Sequence, residues 1–138
     1  MIATRILPMV QRFGRGLEAW VMLTTLQLVL AVGRFDRVKR LLSSVRPLRG
    51  ASPARREEDV QNVLLAIQRA QRWTIGPVRC LHTASTCTLM LRLRGLPAEV
   101  VIGVRGAPFE AHAWTELFGK VIGDRELVTR SYAPVHRA

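Results

Sequence analysis

Apolar residues follow a helical rhythm over the first two thirds of the chain and an alternating one after Pro97. From Leu17 to Val32 the run LEAWVMLTTLQLVLAV is interrupted only by Glu18, Thr24, Thr25 and Gln27. It predicts a buried or partner-covered helix, shorter than the roughly 20 apolar residues of a membrane span. Ala31-Val32-Gly33-Arg34 makes a poor signal-peptide cleavage site. Phe35 to Val45 sets Val38, Leu41, Leu42 and Val45 at helical spacing among Arg37, Lys39 and Arg40, an amphipathic basic helix. Pro47 to Pro53 reads as a linker, with Ser52 as an N-cap and Pro53 at the first position of a third helix. That third helix carries Val60, Val63, Leu64, Ile67 and Ala70 on one stripe. Glu57, Glu58 and Asp59 near its start and Arg69 and Arg72 near its end suit the macrodipole. Gly76-Pro77 breaks the chain, and a fourth helix is expected from about Cys80 to Gly95, a left-handed C-cap followed by Pro97.

Beyond Pro97 the pattern becomes extended. Glu99 to Val104 is a β-branched run, and Phe109 to Leu117 alternates between two faces, with Glu110, His112, Trp114 and Glu116 sharing one of them. Lys120 to Asp124 forms a third run after a turn containing Gly119. Helices first and an antiparallel meander afterwards give an α+β plan. The chain divides into a basic, apolar-rich helical extension over 1–50 and a core over 51–138.

Charge sharpens that division. With 138 residues, 49% of them apolar and 22% charged, there is room for one core, which excludes a multidomain enzyme and wholesale disorder. The formal charge is +11. Residues 1–56 hold eleven basic side chains against Glu18 and Asp36, whereas 57–138 hold ten against eight acids. Such a balance invites a nucleic-acid partner, yet zinc-finger spacing, RNP aromatics and a Gly-rich arm are all missing. Arg outnumbers Lys nineteen to two, and the basic face is expected to meet a protein or peptide partner, with no nucleic acid and no membrane contact. Cys80 and Cys87 cannot make a disulfide framework, which places the chain in a reducing cytoplasm.

Candidate chemistry gathers at Cys80, His112 and Asp124. If Leu117-Phe118-Gly119 is a three-residue hairpin loop, Glu116 faces Lys120 and His112 faces Asp124, within reach of a hydrogen bond. A two-residue Gly119-Lys120 loop would instead set His112 against Leu127. Cys80 follows the Gly-Pro break and opens a helix, where unpaired N–H groups and the macrodipole favour a thiolate. A buried structural cysteine is the competing reading. Cys87 lies two helical turns on, about 10.5 Å along the axis, and belongs to the core. His82 points to another helix face and His136 sits in a polar tail. Cys80, Cys87, His82 and His112 lack any recognised zinc-ligand spacing. Gln71 and Trp73 are candidates for shaping the site, with packing favoured for Trp73. Trp114 either walls a cleft or packs on the sheet.

The ordered pieces Cys80-Leu81, Arg94-Gly95-Leu96-Pro97-Ala98, Ile102-Gly103-Val104, Phe109-Glu110-Ala111-His112-Ala113-Trp114 and Ile122-Gly123-Asp124 resemble the leader peptidases of lasso-peptide biosynthesis. These are small cysteine proteases with a transglutaminase-like, papain-like core. The likeness covers residues 57–124, and the length is similar to the split, peptidase-only form. It implies Cys80 as nucleophile, His112 as general base and acid, and Asp124 as the residue orienting His112, with no cofactor and no metal. It also implies a precursor peptide as substrate, a separate leader-recognition protein, and an asparagine-synthetase-like cyclase acting next. Leu81-His82-Thr83 departs from the family, where an Arg is frequent. Two other functions fit the same residues: an acyltransferase of the transglutaminase type, and a non-catalytic basic adaptor binding nucleic acid or anionic lipid through residues 1–56.

Overall fold

A helix that is apolar nearly all round must be enclosed, and the arrangement of the chain results from enclosing the helix that begins at Cys80. In the computed structural model, residues 1, 34, 46–52, 77–78 and 107 lie outside the described structure, as do the side chains of 2–10, 35 and 53–55. The elements run α1 (Ile2–Ala31), α2 (Phe35–Ser44), α3 (Pro53–Trp73), α4 (Cys80–Leu93), β1 (Ala98–Arg105), β2 (Glu110–Leu117), β3 (Lys120–Ile122), α5 (Glu126–Thr129) and β4 (Ala133–Arg137). The strands form one antiparallel sheet in the order β3-β2-β1-β4. The α+β plan expected from the sequence is therefore the one observed. Pro53 opens α3, while the rest of the expected linker with its Ser52 cap, and Pro77, lie outside the described residues.

α4 is buried without interruption from Ala84 to Arg92. One side meets α1 and α3 through Cys87, Met90 and Leu91, packed with Ala19, Leu23, Val63, Ala66, Ile67 and Ala70. Another side meets α2 and the sheet, where Ala84 and Leu89 join Leu26, Val38, Leu42, Val100 and Ala113. Thr88 and Thr115 share a hydroxyl contact of 3.3 Å, and the Thr115 hydroxyl also donates to the Ala84 carbonyl at 3.0 Å. The helix ends as expected at Gly95, whose φ is +83. Leu96 N–H bonds the Leu91 carbonyl and Gly95 N–H bonds that of Arg92, a Schellman closure.

Several expectations need correction. The first helix is 30 residues long and continues through Pro8, Gly14 and Gly16, where the apolar run alone would start it at Leu17. The spacing of Ile6, Val10, Phe13 and Leu17 already carries the helical period through that stretch. Among the described residues no helix is long and apolar enough to cross a membrane. The polar tail that holds His136 is itself a strand, β4, with His136 opposite Ile102. The hairpin turn is Phe118-Gly119, with φ of +51 and +76, so the loop has two residues and Leu117 faces Lys120. Both positive φ angles mark the primed turn that matches strand twist. Every pairing in that hairpin is thus one residue from the expected one, and Glu116 faces Val121.

Arg92 ties the helical layer together. The residue is 9% exposed, and its guanidinium donates to the Ala98 carbonyl at 2.8 Å, to Leu42 and, at 3.4 Å, to Val45. It thereby caps the C-terminal carbonyls of α2 from inside the protein. Arg94 makes a two-pronged pair with Glu18 at 3.1 and 2.7 Å, holding α1 to the end of α4 in a more exposed position. Arg92→Met should lower unfolding free energy by about 2–4 kcal/mol, because it strands buried carbonyls. Arg94→Ala should cost about 1 kcal/mol or less. Urea unfolding of the two variants checks the ranking, and equal losses would contradict it.

Candidate active site

The sheet has two chemically different faces. Val100 and Ile102 on β1 and Ala113, Thr115 and Leu117 on β2 point toward the helices. Alternation sends Glu110, His112, Trp114 and Glu116 to the opposite face. Regular continuation of β3 would set Asp124 opposite Ala113, away from His112. Instead the strand stops at Ile122, and Gly123, with φ +72, turns the chain. A Cβ at Gly123 would also lie 2.7 Å from a Leu64 methyl on α3, which would have to shift, and the positive φ itself disfavours any other residue there. The turn brings the Asp124 carboxylate to His112, with Nε2 to Oδ2 at 2.5 Å. The contact expected from the hairpin is present, but by a turn and not by the expected register. A carboxylate only accepts, so Nε2 carries the proton in this bond and Nδ1 is left as the other ring nitrogen. The Arg125 N–H donates to the second carboxylate oxygen at 2.7 Å and holds Asp124 in turn.

Cys80 is the first residue of α4 and is exposed; Cys87 is 2% exposed. Burial pushes the Cys87 thiol up to about 11, with the Thr115 hydrogen bond pulling the other way. At neutral pH Cys87 is therefore an inert core thiol, as its place on the apolar stripe implies. Arg79, the residue before Cys80, gives no side-chain cap to the helix. His82 fixes this entry differently: its Nδ1 accepts the Arg79 N–H at 3.0 Å. An accepting Nδ1 requires the neutral ring, and burial, then the Arg79 charge, hold the His82 pKa below its ordinary value. Gln71 adds a bond from α3, donating to the Thr83 hydroxyl at 3.0 Å. Trp73 does not pack: its side chain is 79% exposed, and its carbonyl accepts the Trp20 indole N–H at 3.3 Å. Trp73 is the last residue of α3, and its ring stays in solvent.

Sequence reasoning missed Tyr132 and the reason for Gly103. Tyr132 precedes β4 and reaches back over Gly103, which pairs directly with His112. A Cβ on Gly103 would stand 2.7 Å from the Trp114 ring and 2.8 Å from Tyr132. Only a glycine lets both rings lie there. The His112 centroid is then 5.3 Å from that of Tyr132 and 6.0 Å from that of Trp114. Trp114 is 3% exposed, so it packs on the sheet and flanks His112 at once. Its indole donates to Glu116 at 2.9 Å, and Glu116 is held by Arg137 at 2.7 Å. Burial alone would raise the Glu116 pKa, but these two bonds outweigh it and bring the net value down. Glycine inside a β-branched strand was the available signal for Gly103. Tyr132, the single tyrosine of the chain, had none.

Residues 22–137 match the profile of the Transglutaminase-like superfamily. This chain belongs to the transglutaminase-like superfamily. The curated microcin J25-processing protein McjB of Escherichia coli is 42% identical to it over 45 residues, 33% of this chain and 22% of that protein. The similarity thus spans about a fifth of the relative's length. No solved structure matches significantly. Cys80, the nucleophile position expected from the sequence, opens α4, while His112 stands on the sheet face turned away from the helices and Asp124 lies just beyond the end of β3.

The His82 contact has a pH signature. A folded pKa below the unfolded value means that the stabilisation is complete above the unfolded value, about 6.5 for His. It is lost as pH falls through the folded value, where protonation of Nδ1 breaks the bond to Arg79. Thermal melting of His82→Gln, which keeps an acceptor but does not titrate, should show a smaller fall in midpoint between about pH 7 and pH 5 than the unaltered protein. Parallel curves would contradict the assigned tautomer.

Proposed function

We infer that the chain is a cysteine peptidase that removes the leader from a ribosomally made lasso-peptide precursor. The observation that carries the reading is the His112–Asp124 bond on a sheet packed against the helix that Cys80 opens, in a transglutaminase-like chain with a partial match to a microcin-processing protein. Cys80 is the nucleophile, His112 the base and acid, and Asp124 the group that fixes the imidazole. His112 takes the thiol proton, and the sulfur attacks the scissile carbonyl carbon. The oxyanion is met by the Cys80 N–H at the first turn of α4. Collapse breaks the C–N bond, and His112 gives its proton to the departing amine. Water then attacks the thioester as His112 takes its proton, releasing the leader carboxylate and restoring the thiol.

The same reading assigns the partners. The precursor leader is presented by a separate recognition protein, and a cyclase of the asparagine-synthetase type uses the freed amine. Docking belongs to residues 1–50. There α1 keeps Phe13, Leu17 and Val21 exposed, and α2 exposes Arg37 and Arg40. Residues 51–138 carry the chemistry. Two free cysteines and no disulfide fit a cytoplasmic setting.

Incubating the protein with precursor and recognition protein, then weighing the products, tests the reading. Leader and core fragments should appear, Cys80→Ala should lower the rate by at least about a thousandfold, and Cys87→Ser should still cleave. An intact precursor under conditions where the recognition protein binds would contradict it. Incorporation of a labelled amine in place of water would make the chain an acyltransferase. Charge reversal at Arg37 and Arg40 should weaken partner-dependent cleavage without changing the Cys80 alkylation rate; equal loss of both would refute the division between docking and chemistry.

A further inference from the structure

One bond to Asp124 defines where Nε2 lies but not how the imidazole is turned about that contact. A base must present Nδ1 at one angle, and small misplacement costs large factors in rate. The surroundings of His112 supply the missing constraint. Tyr132 rests on the bare backbone of Gly103, which fixes its depth. Its hydroxyl donates to Glu110 Oε2 at 3.2 Å, which fixes its tip. Glu110 is itself paired with Arg105, its direct cross-strand partner, whose Nε donates at 2.8 Å. The Arg105 guanidinium also lies 4.8 Å over the Tyr132 ring, so one residue holds both the ring and the carboxylate that anchors it.

We propose that Tyr132, clamped by Glu110 and Arg105 above Gly103, is the positioning residue that sets the orientation of the His112 imidazole. The proposal rests on the reading of Cys80 and His112 as a reacting pair. Tyr132 meets the imidazole at 5.3 Å and an interplanar angle of 35°, while Trp114 meets it at 6.0 Å and 26°. The two rings are 6.5 Å from each other, so they form a corner against which His112 sits. Trp114 is tethered in the same manner, through Glu116 to Arg137. Both aromatic walls thus end in a carboxylate that an arginine holds. The phenol proton is already given to Glu110, so Tyr132 acts through the imidazole and not as a proton donor. Burial, then the Glu110 bond, hold its pKa above the ordinary value, and the Cys80 charge adds to the rise, which puts thiol and phenol in one neighbourhood.

The test reads the thiol directly. Iodoacetamide modification of Cys80, mapped by mass spectrometry over a range of pH, gives a rate profile whose low-pH limb reads how His112 serves the sulfur. His112→Ala should remove that limb. Tyr132→Leu should lower the rate at about pH 6 by about tenfold or more, whereas Tyr132→Phe, which keeps the ring, should stay within about threefold. In precursor cleavage Tyr132→Leu should reduce kcat with KM unchanged. A cooperatively melting Tyr132→Leu with the full low-pH limb would overturn the positioning role and leave the peptidase reading standing. An unchanged limb in His112→Ala would remove the reacting pair, and the positioning role with it. Should Tyr132→Leu fail to fold, Tyr132→Met decides: it removes the ring while keeping bulk over Gly103, and a limb identical to that of the unaltered protein would overturn the proposal.

Discussion

The absence of a side chain at Gly103 is the constraint on which the outer face of the sheet depends. A single carbon there would collide with Trp114 and Tyr132, and both rings are held in place by their polar ends. Trp114 is tied to Glu116 and Tyr132 to Glu110, and both carboxylates are taken by arginines on the same face. The face is therefore a set of rings indexed by ion-paired carboxylates. Such partly exposed pairs add little stability each, but they fix geometry. The geometry they fix is that of His112, which pairs with Gly103 across the sheet.

α4 connects this face to the rest of the protein. Its interior is closed by two apolar clusters, and its C-terminal end is locked by Arg92 and by the closure at Gly95. Its N-terminal turn is the opposite: Cys80 is exposed and Arg79 supplies no side-chain cap. The entry is instead held by the neutral ring of His82 and by Gln71. The same helix thus holds one thiol that burial keeps protonated and another exposed at its first residue. A rigid body with an open first turn is a physical basis for placing reactive sulfur without loosening the core.

Much of this was legible in the sequence because periodicity and caps speak locally. The apolar rhythms of α2 to α4, Gly95 as the stop of α4 and the strand β2 could all be read from neighbours along the chain. The hairpin register could not, because Phe118 adopts a left-handed conformation that favours Asn, Asp or Gly. Asp124 still reached His112 because Gly123 turned the chain, a compensation that alternation alone does not reveal. β4 escaped notice since it is an edge strand, largely exposed, with Pro134 inside it. Losing β4 from view meant losing Arg137, and Tyr132 just before it. Arg92 carried a signal that went unused: a charge between Leu91 and Leu93 on an apolar helix needs buried acceptors.

The proposed chemistry turns on one covalent step, the acylation of Cys80 by the leader with His112 and Asp124 in attendance. Acid-quenching a reaction of protein, recognition protein and precursor, and weighing the peptides of the trapped protein, puts that step to the test. A thioester adduct of leader mass is expected on the peptide that begins α4 at Cys80. Cleavage proceeding with the adduct on Cys87, or with no adduct when hydrolysis of the thioester is slowed, would contradict it.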